Sequence, residues 1–171
     1  MGDKGKTNLG DMRIVSKDDP RVEALGCVDE LISYLGVAAS VSQSERTIHL
    51  IESIQHTLSV VAADIATPLN KEGKRIAEED VNRISSLIDT IESELPPLNR
   101  FILPGGALPA SHLHVARAVA RRAERKVVHA MKRYKLNPLV VVYLNRVSDL
   151  LFLLARKTNI EMQGRERFMD E

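Results

Sequence analysis

FILPGGALPASHLHVARAVARRAER, residues 101–125, is the stretch whose reading decides the fold. It opens on the turn Pro104-Gly105-Gly106, which an ordinary helix or strand does not carry in its interior. Beyond the turn, Leu113, Ala116, Ala120, Ala123, Val127 and Met131 recur at helical spacing and form one narrow apolar stripe, the face expected to meet a core. Arg117, Arg121 and Glu124 follow at i, i+4 and i+7, a second row at the edge of that stripe. His114 and Arg125 flank the row. Long guanidiniums at a core boundary reach a cleft or an interface as readily as water, and their planar forks suit phosphate and carboxylate. Two readings stand at this point: a solvated, salt-bridged face and an anion site.

The same periodicity extends outward in both directions. Asp19-Pro20 is a helix start, with Asp as N-cap and Pro in the first turn. Val22, Leu25, Val28, Leu31, Ile32, Leu35 and Ala38 then carry a helix to about Val41. Asp29 sits uneasily in its middle, flanked one turn away by Leu25 and Ile32, and calls for a cation from elsewhere. Gly26 and Gly36 cost helix propensity, which close packing of another backbone would explain. A second helix spans about Glu45–Ala66. Asp64 near its end opposes the helix dipole, so either function or a basic neighbour should hold it there. A third runs from about Glu78 to Leu95 and stops at Pro96-Pro97. The Phe101–Arg125 stretch enters the fourth. Asn137-Pro138 opens a fifth, which continues to about Ile160 and is apolar nearly all round, the mark of a central position or a subunit interface. Within it Asn145 and Asp149, at i and i+4, need polar partners. No strand is expected. The pattern predicts an all-α protein, a single up-and-down bundle of five helices filling residues 1–171, with a glycine-rich N-terminal loop over 1–18 and a frayed tail over 163–171.

Composition narrows the function. A net charge of +1 argues against a protein whose task is to hold nucleic acid. Cys27 is the only cysteine, so there is no internal disulfide framework and no cysteine zinc site. The most apolar segment, Leu139–Ala155, is interrupted by Asn145, Arg146, Ser148 and Asp149 and does not read as a membrane span. The polar N-terminus shows no signal peptide, and a cytoplasmic location is expected.

Chemical motifs are sparse. Gly5-Lys6-Thr7 resembles the end of a P-loop, but the required upstream glycine and strand are missing. A looser phosphate-binding loop remains open, with Lys4, Lys6 and Lys17 adding charge. His112 and His114, two residues apart, cannot chelate one metal from the same helix face. No protein metal site is expected.

Four segments taken together resemble the trimeric five-helix type of ATP-dependent cobalamin adenosyltransferase. They are GDKGKTNLG at Gly2–Gly10, DPRVEALGCVDELISYLG at Asp19–Gly36, FILPGG at Phe101–Gly106, and ARAVARRAER at Ala116–Arg125 followed by LNRVSD at Leu144–Asp149. The resemblance implies transfer of the 5′-deoxyadenosyl group from ATP to the cobalt of cob(I)alamin, with inorganic triphosphate leaving and Mg²⁺ riding on the phosphates. Such chemistry needs no protein acid or base, since the corrinoid supplies the nucleophile and the protein orients and neutralises. By position, Gly2, Thr7, Asn8 and Lys17 match the ATP-binding loop. Arg121, Arg122, Glu124 and Arg125 match a second ATP-binding segment, and Asn145 its partner on the last helix. Asp29 and Arg117 match a salt bridge across the subunit interface and, with Arg121, make up the implied catalytic set. Phe101 matches an aromatic at the lower face of the corrin, with Asp64 also placed on the corrin side. A homotrimer with active sites between subunits is implied, together with a reductase and an acceptor enzyme for the product; neither nucleic acid nor membrane is. Family members usually carry Thr-Lys-Thr just before Gly-Asp-Lys-Gly, and those residues touch ATP. A chain opening at Met1-Gly2 is expected to lack that half of the loop. A non-catalytic carrier and a bundle whose arginines only join subunits are the alternatives.

Overall fold

A computed structural model of the chain describes residues 4–9 and 13–169. Five helices dominate it: α1 (Pro20–Ser40), α2 (Glu45–Ala66), α3 (Glu78–Ser93), α4 (Leu108–Met131) and α5 (Leu139–Glu161). Their starts follow local chemistry. The Asp19 carboxylate accepts from the Arg21 amide at 2.9 Å, and Ser44 Oγ accepts from the Thr47 amide at 3.3 Å; both are N-caps. At α5 the residue before the N-cap Pro138 does similar work: Asn137 Oδ1 accepts from the Leu139 amide at 3.1 Å.

The helices pack in the spatial order α2, α1, α4, α5, α3, and α5 also touches α2. Of the apolar stripe on α4, Leu113, Ala116, Ala120, Ala123 and Val127 are fully buried, while Met131 packs at the core's edge. Alanines at three of these positions let α4 approach both neighbours closely. The α1–α4 seam runs antiparallel and carries polar clasps along its rim. Tyr134 Oη donates to Asp19 at 2.6 Å, Lys126 Nζ to Glu23 at 2.5 Å, and Arg122 to Glu30. Helix α5 takes the central position that its all-round apolar surface requires, with Leu144, Val147, Leu150, Leu151 and Leu154 buried.

The structure differs from the all-helical expectation at both margins. The N-terminal segment is a hairpin rather than an open loop: β1 (Lys6–Asn8) pairs antiparallel with β2 (Ile14–Ser16), Thr7 opposite Val15. Gly5 supports it with φ +68°, a left-handed conformation that favours glycine. The tail does not simply fray either, because β4 (Arg167–Phe168) pairs with β3 (Ile102–Leu103). Both ribbons are only two or three residues long, too short for strand periodicity to register.

The close packing expected at the α1 glycines is also absent. Among the described residues nothing lies within 4 Å of where a Cβ would stand on Gly26, and Gly36 makes only an ordinary contact with Gln55.

Candidate active site

Two cavities meet on the α4–α5 side of the bundle, and Arg117 lines both. The larger, about 730 Å³, lies between α3, α4 and α5. Arg117, Arg121 and Arg156 give it cationic walls, with Glu92 and Asp149 opposite in charge and Phe152 and Leu153 as apolar floor. The smaller, about 530 Å³, is framed by Phe101, Ile102, His114, Phe152 and Met169, again with Arg117. An arginine-lined space thus shares a wall with one lined mainly by apolar groups.

Local order fixes the electrostatics. The His114 ring is 4 % exposed, lies 6.2 Å from the Phe152 ring, and neither of its nitrogens has a hydrogen-bond partner. Burial, with the Arg117 charge adding to it, pushes its pKa down to about 4. His114 therefore does not extend the cationic row as its position beside Arg117 suggested; it is a neutral ring in an apolar wall. Burial, assisted by the Arg121 charge, also lowers the pKa of Arg117, and the Arg117 Nε is buried without a partner. A guanidinium in that state favours any acceptor that reaches it.

The remaining predicted residues divide. Phe101 stands 81 % exposed at the mouth of the smaller cavity. Arg122 is clasped by Glu30. Glu124 is half-buried and Arg125 exposed. Asn145 is half-buried on α5, one turn before Asp149, and the partner of Asp149 is Arg146 at 3.3 Å. Thr7, Asn8 and Lys17 lie on or beside the N-terminal hairpin, and Gly2 falls outside the described residues. The hairpin leads into α1 where Asp19 meets Tyr134. Thirteen residues of helix and turn separate Tyr134 from Arg121, about 20 Å at helical rise. No hairpin residue lines either of the two cavities among the described residues. Asp29 is exposed on α1 and pairs with no cation among the described residues.

Asp64 lies near the end of α2. It is 1 % exposed, and its carboxylate is fully engaged away from both cavities. Oδ1 accepts from Arg75 at 2.8 Å, while Oδ2 accepts from the Ile76 amide at 2.9 Å and from Asn137 Nδ2 at 2.7 Å. Its place against the α2 dipole is explained by this basic neighbour.

Sequence reading did not single out Phe152, Arg156 or Met169 as cavity residues. Arg156 had only a weak signal, standing where the apolar run Leu150–Ala155 gives way to Lys157, Thr158 and Asn159. Phe152 had none, being indistinguishable from a core residue.

The cobalamin adenosyltransferase family profile matches residues 1–158. The chain belongs to that family. Among its relatives, the corrinoid adenosyltransferase of Bacillus subtilis (strain 168) is 41% identical over 163 residues, covering 92% of this chain and 83% of the relative. That of Citrobacter freundii is 42% identical over 159 residues, covering 91% and 90%. Among solved structures, a variant of the PduO-type ATP:corrinoid adenosyltransferase from Lactobacillus reuteri, complexed with cobalamin and ATP, superposes with a TM-score of 0.93. It is 37% identical, with 98% of this chain and 92% of that one covered. A second variant from the same organism, complexed with ATP, gives 0.92 at 38% identity, covering 98% and 96%. The first of those complexes holds one polyanion, ATP, and one broad macrocycle, cobalamin.

Proposed function

We propose that this protein transfers the 5′-deoxyadenosyl group of ATP to the cobalt of cob(I)alamin. The observation that carries this reading is the shared wall: a cationic cavity and an apolar one meeting at Arg117 and Phe152. The cobalt(I) electron pair attacks C5′, the C5′–oxygen bond breaks, and its electrons leave with triphosphate as cobalt becomes formally trivalent. The chain's part is to hold both reactants in line and to face the leaving group with fixed positive charge. Arg121 and Arg117 supply that charge, with Arg122, Glu124, Arg125 and Asn145 completing the nucleotide side. The Phe101 ring lies against the lower face of the corrin, beside the neutral His114. Excluding water from that side strengthens the electrostatics of the other.

The site is completed between subunits of a homotrimer. Three features support this among the described residues: Asp29 stands exposed without an ion-pair partner, the surface over Gly26 one turn away is open, and Arg117 Nε has no hydrogen-bond partner. Asp29 of one subunit then meets Arg117 of the next, and Thr7, Asn8 and Lys17, with Gly2, reach ATP across the same boundary. Among the described residues no group of three or more His, Cys, Asp or Glu could hold a metal ion. Mg²⁺ would arrive with ATP and help neutralise the phosphate charge that Arg117 and Arg121 face. No helix among the described residues is long and apolar enough to cross a membrane, in keeping with action in the cytoplasm. A reductase that delivers cobalt(I) and an adenosylcobalamin-dependent acceptor complete the sequence.

The test is product stoichiometry. Anaerobic incubation with ATP and cob(I)alamin should release inorganic triphosphate and adenosylcobalamin in equal amounts. Release of phosphate or pyrophosphate without a cobalt–carbon product would overturn the reading.

A further inference from the structure

Phe101 is exposed, yet the backbone that presents it is fastened on both sides, and both fastenings end at one residue. Asn159, near the end of α5, is 1 % exposed. Its Oδ1 accepts from the Ala107 amide at 2.8 Å and its Nδ2 donates to the Gly105 carbonyl at 3.0 Å. The amide therefore closes the Pro104–Ala107 turn at both ends. Gly106 lies so tightly on it, at φ +106°, that a Cβ there would collide with the Asn159 side chain.

The same residue also fastens the tail. Its backbone carbonyl accepts from the Gly164 amide at 2.7 Å, and a Cβ on Gly164 would sit 2.8 Å from its Oδ1. From Gly164 the tail runs to Arg167–Phe168, which pair with Ile102–Leu103, and the Met169 amide donates to the Phe101 carbonyl at 2.9 Å. The Arg100 guanidinium lies over the Phe168 ring, 3.9 Å from its centre. Phe101 is thus held between a turn and a return strand that Asn159 ties together.

We propose that Asn159 is a positioning residue for Phe101, a polar clip whose donor and acceptor fix where the ring stands at the cavity mouth. A primary amide suits the task because it offers both halves of the pair in one plane. The inference rests on the reading of Phe101 as the ring against the corrin.

The test is a double-mutant cycle with Phe101→Ala, Asn159→Ala and the pair, read as kcat and as KM for ATP. Misplacing a reacting partner by about 1 Å can cost about 10²-fold. Asn159→Ala is expected to lower kcat about 10- to 100-fold with KM for ATP unchanged, and to add less than about twofold in the Phe101→Ala background, because coupled residues are not additive. A second readout uses Phe101→Trp as the protein's only tryptophan, whose fluorescence anisotropy should fall when Asn159→Ala is added. Independent, multiplicative losses, or an unchanged kcat for Asn159→Ala, would overturn the clip. Full turnover in Phe101→Ala would instead remove the reading of Phe101. If Asn159→Ala does not fold, Asn159→Asp carries the same cycle, keeping the acceptor for Ala107 while giving up the donor to Gly105.

Discussion

The buried Asp64 and the partly exposed Arg75 form an ion pair, Oδ1 to guanidinium nitrogen 2.8 Å, that ties the end of α2 to the approach to α3. The Arg75 guanidinium continues into the loop, donating to the Thr67 carbonyl at 2.7 Å and the Pro68 carbonyl at 2.6 Å. Asn137 draws the start of α5 into the same network. Removing one partner leaves a buried charge without compensation. Asp64→Ala is expected to destabilise the fold by about 3–5 kcal/mol, read as a lower urea midpoint. A midpoint equal to that of the parent protein would mean the network is dispensable.

Arg121 faces the larger cavity beside Arg117. As a fixed donor to the departing triphosphate it is worth about 10²–10³ in rate. Arg121→Ala should lose that much kcat while keeping the helical circular dichroism and the sedimentation behaviour of the parent. Retained turnover with broken assembly would favour a subunit-joining role for the arginine face.

Asp29 and Arg117 make the trimer proposal testable by charge exchange. Asp29→Arg and Arg117→Asp should each weaken assembly in analytical ultracentrifugation, and the double exchange should restore part of it. Equal damage in the double variant would count against the pair.

His114 gives a pH signature. Burial beside Arg117 lowers its pKa from 6.5 to about 4. Between those values the unfolded chain takes up a proton that the folded chain refuses, so the contribution is intact above pH 6.5 and is lost as pH falls toward 4. His114→Leu should flatten the decline of Tm over that window relative to the parent. Parallel curves would show that the imidazole is not held neutral.

The helices were legible because each carries its own signal. Asp19 and Ser44 cap their helices and Asn137 supports the start of α5 through local hydrogen bonds, and the stripe from Leu113 to Val127 buries as its period requires. The discomfort of Asp64 at a helix end was also legible, and the structure supplies the basic neighbour. The two short ribbons were not, since β3 and β4 pair residues far apart in sequence, Ile102 with Phe168 and Leu103 with Arg167. The state of His114 was equally hidden: spacing placed it beside the arginines, but only packing against Phe152 decides that it is neutral. Asn159 gave no sign at all, because a polar residue near a helix end reads as surface until the glycine turn it closes is seen against it.

The most direct test of the central claim is an absorbance assay of chemically reduced cobalamin, run anaerobically with Mg-ATP and this protein. The account predicts that the cob(I)alamin spectrum gives way to that of adenosylcobalamin, and that the product reverts on exposure to light as its cobalt–carbon bond breaks. A folded protein that leaves the cob(I)alamin spectrum unchanged would contradict it.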